Sequence, residues 1–276
     1  MLLTIVSTTA TTSSDPTTGL AALTSLAVIP TIIWGLVAGW AAAWLSHRYR
    51  AGEDAEGFEI AVLGDATCPH CDHVITAAES SPGRSLSCAA CSRRLPFTWL
   101  GTQLAVLGGC IAMLATWGPG LRVLPFLWLV PVLICAAVTD LRTMLIPKRI
   151  VWVGLAIGLA SIVAVTISRG TSETVYRALI GSALYFGFLF VAHLVMPSGM
   201  GFGDVRLALL LGLYLGWVDL RLPLFGLLIG NIVYLLYAVP QRIRHGKEGG
   251  RFSPFGPGLA AGTLLAVFFS AQLIGG

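Results

Sequence analysis

The sequence predicts an all-α integral membrane protein, a polytopic chain of about eight transmembrane helices with a small cytoplasmic loop. Of its 276 residues, 56% are hydrophobic and only 11% are charged, whereas an average soluble domain carries about 25% charged residues. A soluble globule of this size would need far more polar surface than this sequence can supply. The composition therefore excludes an ordinary cytosolic enzyme and a nucleic-acid binder. It also excludes a disordered chain, because hydrophobicity is high and the net charge is only +4.

Eight apolar stretches approach the roughly 20 residues that a transmembrane helix needs. They are 20–45, 99–117, 121–139, 150–167, 175–196, 205–217, 222–239 and 257–274, of which the sixth is short. The pattern divides the chain into a flexible non-cytoplasmic tail (1–19), a first transmembrane helix (20–45), a cytoplasmic loop (46–98) and a membrane-embedded core (99–276). The Thr- and Ser-rich tail lacks the basic start of a signal peptide, so we interpret it as unstructured.

The distribution of Lys and Arg predicts the orientation, because cytoplasmic loops carry an excess of both residues. With the loop at 46–98 placed in the cytoplasm, 13 of the 17 basic residues fall inside and four fall outside. The inside residues are Arg48, Arg50, Arg84, Arg93, Arg94, Arg142, Lys148, Arg149, Arg206, Arg242, Arg244, Lys247 and Arg251. The outside residues are Arg122, Arg169, Arg177 and Arg221. The N-terminus is therefore predicted to lie outside.

Four cysteines in the predicted cytoplasmic loop have the spacing of a metal site. Cys68 and Cys71 form one C-x-x-C pair, and Cys88 and Cys91 form a second, with 16 residues between the pairs. This spacing is typical of a four-thiolate zinc site. Two disulfides are the alternative, which a reducing cytoplasm disfavours. Four thiolates leave no open position for water, so the predicted zinc is structural.

Two aspartates lie where acidic residues are costly. Asp140 directly follows an apolar run, and Asp204 leads directly into the sixth predicted span. Two spans separate them, so both face the cytoplasmic side. If that span ends near Trp217, Asp204 lies about 20 Å from its far end, within a hydrocarbon core about 30 Å thick. An ionisable group at this depth is a functional candidate. The alternative for Asp204 is a simple helix cap.

A close pair of carboxyl groups predicts aspartic protease chemistry. Both cannot ionise cheaply at short distance, so they share one proton. One then acts as a base on water while the other donates a proton to the scissile carbonyl. Gly201 and Gly203 precede Asp204, and we interpret them as substrate-binding because missing side chains permit positive φ and a close peptide. A flexible turn is the alternative for these glycines. A transporter that relays protons or cations through both aspartates is the rival class of protein.

The segments around both aspartates resemble the type IV prepilin peptidase family, whose members are G-x-G-D intramembrane aspartyl proteases. The similar segments are Met-Gly-Phe-Gly-Asp-Val-Arg-Leu at 200–207, Thr-Asp-Leu-Arg-Thr-Met-Leu-Ile-Pro at 139–147, Phe-Gly-Pro at 255–257 and the paired C-x-x-C loop. The resemblance implies that Asp140 and Asp204 are the catalytic pair. It implies cleavage of the basic leader of prepilin or pseudopilin precursors, at the cytoplasmic face of a bacterial inner membrane, in type IV pilus assembly or protein secretion. A G-x-G-D protease for other membrane substrates is the alternative enzyme.

The sequence departs from the family at two places in its N-terminal third. An Asn-containing run at the end of the first span is replaced by Ala-Ala-Ala-Trp-Leu at 41–45, and Trp99 follows Pro96 where members often have a Glu. Many members also N-methylate the new N-terminus with S-adenosylmethionine. The departures predict a peptidase without methyltransferase activity, and they make S-adenosylmethionine a doubtful cofactor.

Overall fold

The computed structural model describes residues 16–53, 59–81, 87–196, 201–245 and 253–274. The described chain is mostly helical, as predicted. Its α-helices are α1 (Pro16–Arg48), α2 (Phe97–Trp117), α3 (Leu124–Thr143), α4 (Lys148–Arg169), α5 (Glu173–Val195), α6 (Phe202–Val218), α7 (Leu222–His245), α8 (Gly256–Phe268) and α9 (Ser270–Ile274). A 3-10 turn at Leu121–Val123 leads into α3. Residues 1–15 of the predicted tail lie outside the described residues.

Six segments of the described chain are long and apolar enough to cross a membrane. They are Ala27–Arg48, Phe97–Trp117, Leu121–Thr143, Lys148–Arg169, Glu173–Val195 and Leu222–Gln241. The other two predicted spans also form helices, but α6 has 17 residues and α8 has 13. The protein is therefore a multi-pass membrane protein, as predicted. The count of eight spans stays a prediction.

The predicted cytoplasmic loop begins with a small antiparallel hairpin. Strand β1 (Tyr49–Glu53) pairs with β2 (Glu59–Leu63) in a register that sets Tyr49 opposite Leu63. The Arg48 side chain at the end of α1 donates from Nε to the Gly64 carbonyl at 2.8 Å. The hairpin therefore continues directly from the first transmembrane helix.

Glycines allow the closest helix pairs to touch backbone to backbone. A Cβ added at Gly216 of α6 would lie 2.6 Å from the Arg177 carbonyl oxygen of α5, and one at Gly258 of α8 would lie 2.8 Å from the Gly230 carbonyl oxygen of α7. Small residues at helix interfaces are the usual way in which membrane helices approach each other closely. The glycines thus fix α6 against α5 and α8 against α7.

Two ends of the helix bundle can be defined from the chain direction. The end of α3, the start of α4 and the start of α8 meet at one end, where the Gly256 N–H reaches the Asp140 side chain. Arg142 donates from Nη1 to the Ser46 carbonyl of α1 at 2.6 Å at this same end. We call it the aspartate end. The opposite end, where α4 ends and α5 begins, is called the distal end.

Candidate active site

Asp140 lies in the last turn of α3 and its side chain is buried, with 5% exposed. The helix ends at Thr143, and the next residue, Met144, takes the left-handed conformation (φ 57°) and donates its N–H to the Asp140 carbonyl at 2.8 Å. The Asp140 carboxylate oxygen Oδ2 accepts the N–H of Gly256, the first residue of α8, at 2.9 Å. The first N–H groups of a helix have no partner within the helix, and the helix dipole favours a carboxylate there.

Asp204 lies in the first turn of α6 and is 7% exposed. Its Oδ1 atom is buried, and among the described residues it has no hydrogen-bond partner. A buried polar atom of this kind is costly unless it is paired. The helix-cap alternative requires Asp204 to accept backbone N–H groups of its own helix. No such bond is found in the described part of the chain.

The structure brings the two predicted aspartates together. They are 64 positions apart in the sequence and come from different helices, and their carboxyl groups are close enough to interact electrostatically. The Tyr237 hydroxyl of α7 is within electrostatic range of both carboxyl groups and donates to the Pro254 carbonyl. In the low dielectric of a membrane protein interior, such interactions are much stronger than in water.

Ile146, six positions after Asp140, packs against the start of α6 and the start of α8. A Cβ added at Gly203 would lie 3.0 Å from Ile146 Cβ, and one at Gly256 would lie 3.2 Å from Ile146 Cδ1. Gly203 therefore accommodates a residue of this chain. Gly201 is different, because among the described residues an added Cβ there would meet only Asp204 Oδ2 at 3.7 Å and the Gly203 nitrogen at 4.0 Å. Neither glycine takes a positive φ.

The four predicted metal ligands converge in the loop between α1 and α2. The sulfur atoms of Cys68, Cys71, Cys88 and Cys91 all lie within 4.8 Å of one another. The Cys68–Cys91 sulfurs are 3.8 Å apart and the Cys71–Cys88 sulfurs are 3.6 Å apart. A tetrahedral zinc with Zn–S bonds of about 2.3 Å requires sulfur separations of about 3.8 Å. All four cysteines are free, so the disulfide alternative is not found. The cluster could hold a metal ion.

The two C-x-x-C turns have the same local structure. Asp72 and Ser92, each directly after the second cysteine of its pair, take positive φ values of 55° and 56°. Their N–H groups donate back to the carbonyls of Cys68 and Cys88, at 3.0 Å and 2.9 Å. These turns orient both sulfurs of a pair toward one point. His73, two positions after Cys71, contacts Glu79 Oε1 at 3.3 Å. The Thr76 N–H holds the pKa of Glu79 below its usual range.

The comparisons with known proteins identify the family of this chain. A sequence model described as the type IV leader peptidase family matches residues 127–239. The prepilin leader peptidase/N-methyltransferase of Aeromonas salmonicida (strain A449) is 31% identical over 234 residues, which cover 80% of this chain and 76% of that protein. The chain belongs to the type IV leader peptidase family. The similarly named protein of Bacillus subtilis (strain 168) is 28% identical over 248 residues, which cover 88% of this chain and 94% of the relative. No solved structure matches significantly.

Membership of the leader peptidase family decides between the classes of protein that the sequence left open. The chain is a membrane-embedded peptidase, and the transporter interpretation is set aside. The matched segment 127–239 contains both aspartates. It excludes the four cysteines, which lie before it. The peptidase is a multi-pass protein of the inner membrane, as its helices and its family indicate.

Two residues beside the aspartates were not predicted as site residues. Gly256 belongs to the Phe-Gly-Pro segment at 255–257, so the sequence held a signal for its position but not for its hydrogen bond to Asp140. Tyr237 is one of six tyrosines in the chain and lies in an apolar span without a recognisable motif. Only the fold shows that it lies near both aspartates.

We expect Gly256→Ala to reduce peptidase activity at least about tenfold while the protein still accumulates. The added Cβ would lie 2.7 Å from Asp140 Oδ2, so the carboxylate must move away from the N–H that orients it. A displacement of about 1 Å in a catalytic group can reduce the rate about 100-fold. Leader cleavage by purified protein is the measurement. Gly187→Ala in α5 is the matched control, because an added Cβ there has no atom of the described residues within 4 Å. Wild-type activity in Gly256→Ala would contradict the role given to this contact.

Proposed function

We propose that Asp140 and Asp204 are the catalytic pair of this peptidase. We further propose that it cleaves the basic leader of type IV prepilin-like precursors at the cytoplasmic face of the membrane. The observation that carries the proposal is the meeting of two buried carboxyl groups, from the last turn of α3 and the first turn of α6, at one end of the bundle. The names of the relatives support the substrate class, since each is called a prepilin leader peptidase.

The proposed chemistry uses one proton shared by the pair. The ionised aspartate takes a proton from a water molecule, which attacks the scissile carbonyl carbon, while the protonated aspartate donates to the carbonyl oxygen. The Gly256 N–H keeps one oxygen of Asp140 fixed, which leaves the other for water or substrate. Asp204, whose Oδ1 has no partner in the described chain, supplies the second functional oxygen. Gly201 is exposed and the described residues leave space beside it, which supports the docking of an extended substrate there.

The cytoplasmic placement of the aspartate end rests on charge. The residues at this end, among them Arg142, Lys148 and Arg149, belong to the basic majority of the loops, and the positive-inside rule places such loops in the cytoplasm. A leader with basic residues is also retained on that side before cleavage. Substrate and active site would therefore meet on the same face of the membrane.

We propose that the four-cysteine cluster holds a structural zinc ion. Cys68 and Cys88 are buried in a small apolar cluster together with Ala43 near the end of α1 and Trp99 at the start of α2. The metal would join the two C-x-x-C turns. These turns would connect the cytoplasmic ends of α1 and α2. The proposed organisation is thus a tail, a first transmembrane helix, a zinc-binding loop and a protease core, with the boundaries predicted above.

Cleavage of a defined precursor tests the proposed activity. The full-length peptidase would be purified in detergent and incubated with a pilin-like precursor that carries a basic leader followed by an apolar helix. We expect one cut between the leader and the helix, read by a mass shift and by N-terminal sequencing. The same precursor with its basic residues replaced by Gln would distinguish leader recognition from general proteolysis. Equal cleavage of both precursors, or a cut inside the apolar helix, would favour a protease for other membrane substrates.

We also propose that this enzyme releases its product without methylating it, and we expect a free amino group on the mature N-terminus. Trp99 stands where family members often carry a Glu; it is 1% exposed and stacks on His47 with ring centroids 4.2 Å apart. Ala43, in the segment that replaces the Asn-containing run, is fully buried. Methyl transfer needs a base for the amine and a pocket for a charged cofactor, and these apolar side chains provide neither.

Mass spectrometry of the cleaved product would test this expectation. The purified peptidase, its precursor and S-adenosylmethionine would be incubated together, with the Aeromonas salmonicida protein named above as the positive control. A product heavier by one methyl group, formed by the enzyme described here, would refute the proposal.

A further inference from the structure

A second polar site lies at the distal end, far from the aspartates. A cavity of about 140 Å³ opens there among the ends of several helices. The residues important to its chemistry are Trp117, Arg122, Thr166, Arg169, Thr174 and Arg177. Arg169 is the last residue of α4, whose first residue lies at the aspartate end. A helix of 22 residues is about 33 Å long, so the thickness of the membrane separates this arginine pocket from the candidate active site.

The arginine pocket concentrates positive charge. It contains three of the four basic residues that the orientation analysis placed on this side of the membrane. Arg122, Arg169 and Arg177 form no ion pair with any carboxylate of the described residues. Nearby Asp219 instead accepts the backbone N–H of Arg221 at 2.8 Å. Three guanidinium groups around one cavity repel each other unless an anion lies between them.

Hydrogen-bond donors in the pocket also lack partners. The Arg177 Nε atom and the Trp117 Nε1 atom are both buried and have no acceptor among the described residues. Both are donors only, and a buried donor is expected to find an acceptor. The Arg177 backbone is held in place, because its carbonyl oxygen packs against Gly216 in the seam between α5 and α6. The pocket therefore combines positive charge with unmet donors in its wall, which suits a ligand that accepts hydrogen bonds.

The surroundings indicate where such an anion comes from. Trp117 and Trp217 both line the pocket, and tryptophan is enriched where a membrane meets water. Leu121 and Ile167 beside it are 52% and 75% exposed, as expected of side chains that face lipid. Arginine matches the geometry of phosphate oxygens through paired N–H groups. We propose that the arginine pocket binds the phosphate group of an anionic phospholipid in the leaflet opposite the aspartates.

Lipid binding to purified full-length protein tests the proposal. The protein would be delipidated in detergent, titrated with phosphatidylglycerol or phosphatidylcholine, and analysed by native mass spectrometry. We expect one phosphatidylglycerol to bind in preference to phosphatidylcholine. Arg177→Gln should weaken that binding about tenfold, because a hydrogen bond to a charged group is lost. Arg221→Gln is the matched control, since Arg221 lies on the same side of the membrane and does not line the pocket.

A second variant and a second ligand make the result decisive. The double variant Arg122→Gln/Arg169→Gln changes two exposed side chains of the pocket and carries the test if Arg177→Gln does not accumulate. Equal phosphatidylglycerol binding by wild type and by the pocket variants would overturn the proposal. Inorganic phosphate is the second ligand to be titrated. If it binds with the same dependence on Arg177 while phosphatidylglycerol does not, the site takes free phosphate and the lipid assignment is wrong. Peptidase activity in detergent should be unchanged in both variants.

Discussion

Asp140→Asn and Asp204→Asn should each reduce leader cleavage by at least about 1,000-fold while the protein still accumulates in the membrane. Asparagine keeps the size of the side chain but can neither take a proton from water nor donate one as a carboxylic acid. A general acid or base alone typically contributes about 10²–10⁴-fold. Since the two residues share one proton in the proposed mechanism, the double variant should be no worse than either single variant. Cleavage of the precursor over a concentration series of enzyme is the measurement.

The matched control for these variants is Asp219→Asn, because Asp219 follows α6 at the distal end. The same chemical change there should leave cleavage within about twofold of wild type. Substantial cleavage by either Asp140→Asn or Asp204→Asn would rule out the catalytic assignment. Additive losses in the double variant would show that the two aspartates act separately, which would contradict a shared proton.

Cys68→Ser or Cys88→Ser should remove the metal and lower the amount of folded protein severalfold. The two sulfurs belong to a cluster whose members lie within 4.8 Å of one another, and apparent binding free energies of structural zinc reach about 10–16 kcal/mol. Without the metal, this free energy no longer stabilises the folded loop. Because Cys68 and Cys88 pack with Ala43 and Trp99, the cytoplasmic ends of α1 and α2 should loosen as well.

Metal analysis of purified protein checks this expectation, and wild type should contain about one zinc per chain. Cys110→Ser is the control, because it makes the same substitution at a buried cysteine of α2 outside the cluster. Its zinc content should equal that of wild type. Well-folded and active wild-type protein with little zinc would contradict a structural role for the metal.

The fold class could be predicted because it depends on composition. A chain with 11% charged residues can satisfy its backbone in a bilayer only by forming helices or a closed barrel, and long apolar runs favour helices. The β1–β2 hairpin was missed. Its strands have five residues each and no clear alternation of apolar and polar residues, so they are recognised only when paired. Sequence reasoning also does not establish whether α6 spans the membrane, because this helix has only 17 residues.

The sequence predicted some residues of the candidate site but not others. Asp140 and Asp204 stand out because carboxyl groups beside apolar runs are expensive, and the cysteines stand out by their spacing. The contact from Gly256 to Asp140 uses a backbone N–H, which every residue except proline possesses. No side-chain pattern can therefore predict it. The arginine pocket was missed for a related reason, since the sequence shows how many charges lie on one side of the membrane but not that three of them converge.

The bond between Gly256 and Asp140 also has a consequence for the biogenesis of the enzyme. The donor lies 116 positions after the acceptor in the chain, and both aspartates are synthesised before it. A nascent chain that has inserted α1 to α7 contains the complete proposed acid pair but lacks the helix that orients Asp140. Such a chain should be inert toward the precursors that meet it in the same membrane. Activity would thus begin only when α8 has left the ribosome and docked against α3 and α7, so that synthesis and docking of this helix act as the switch.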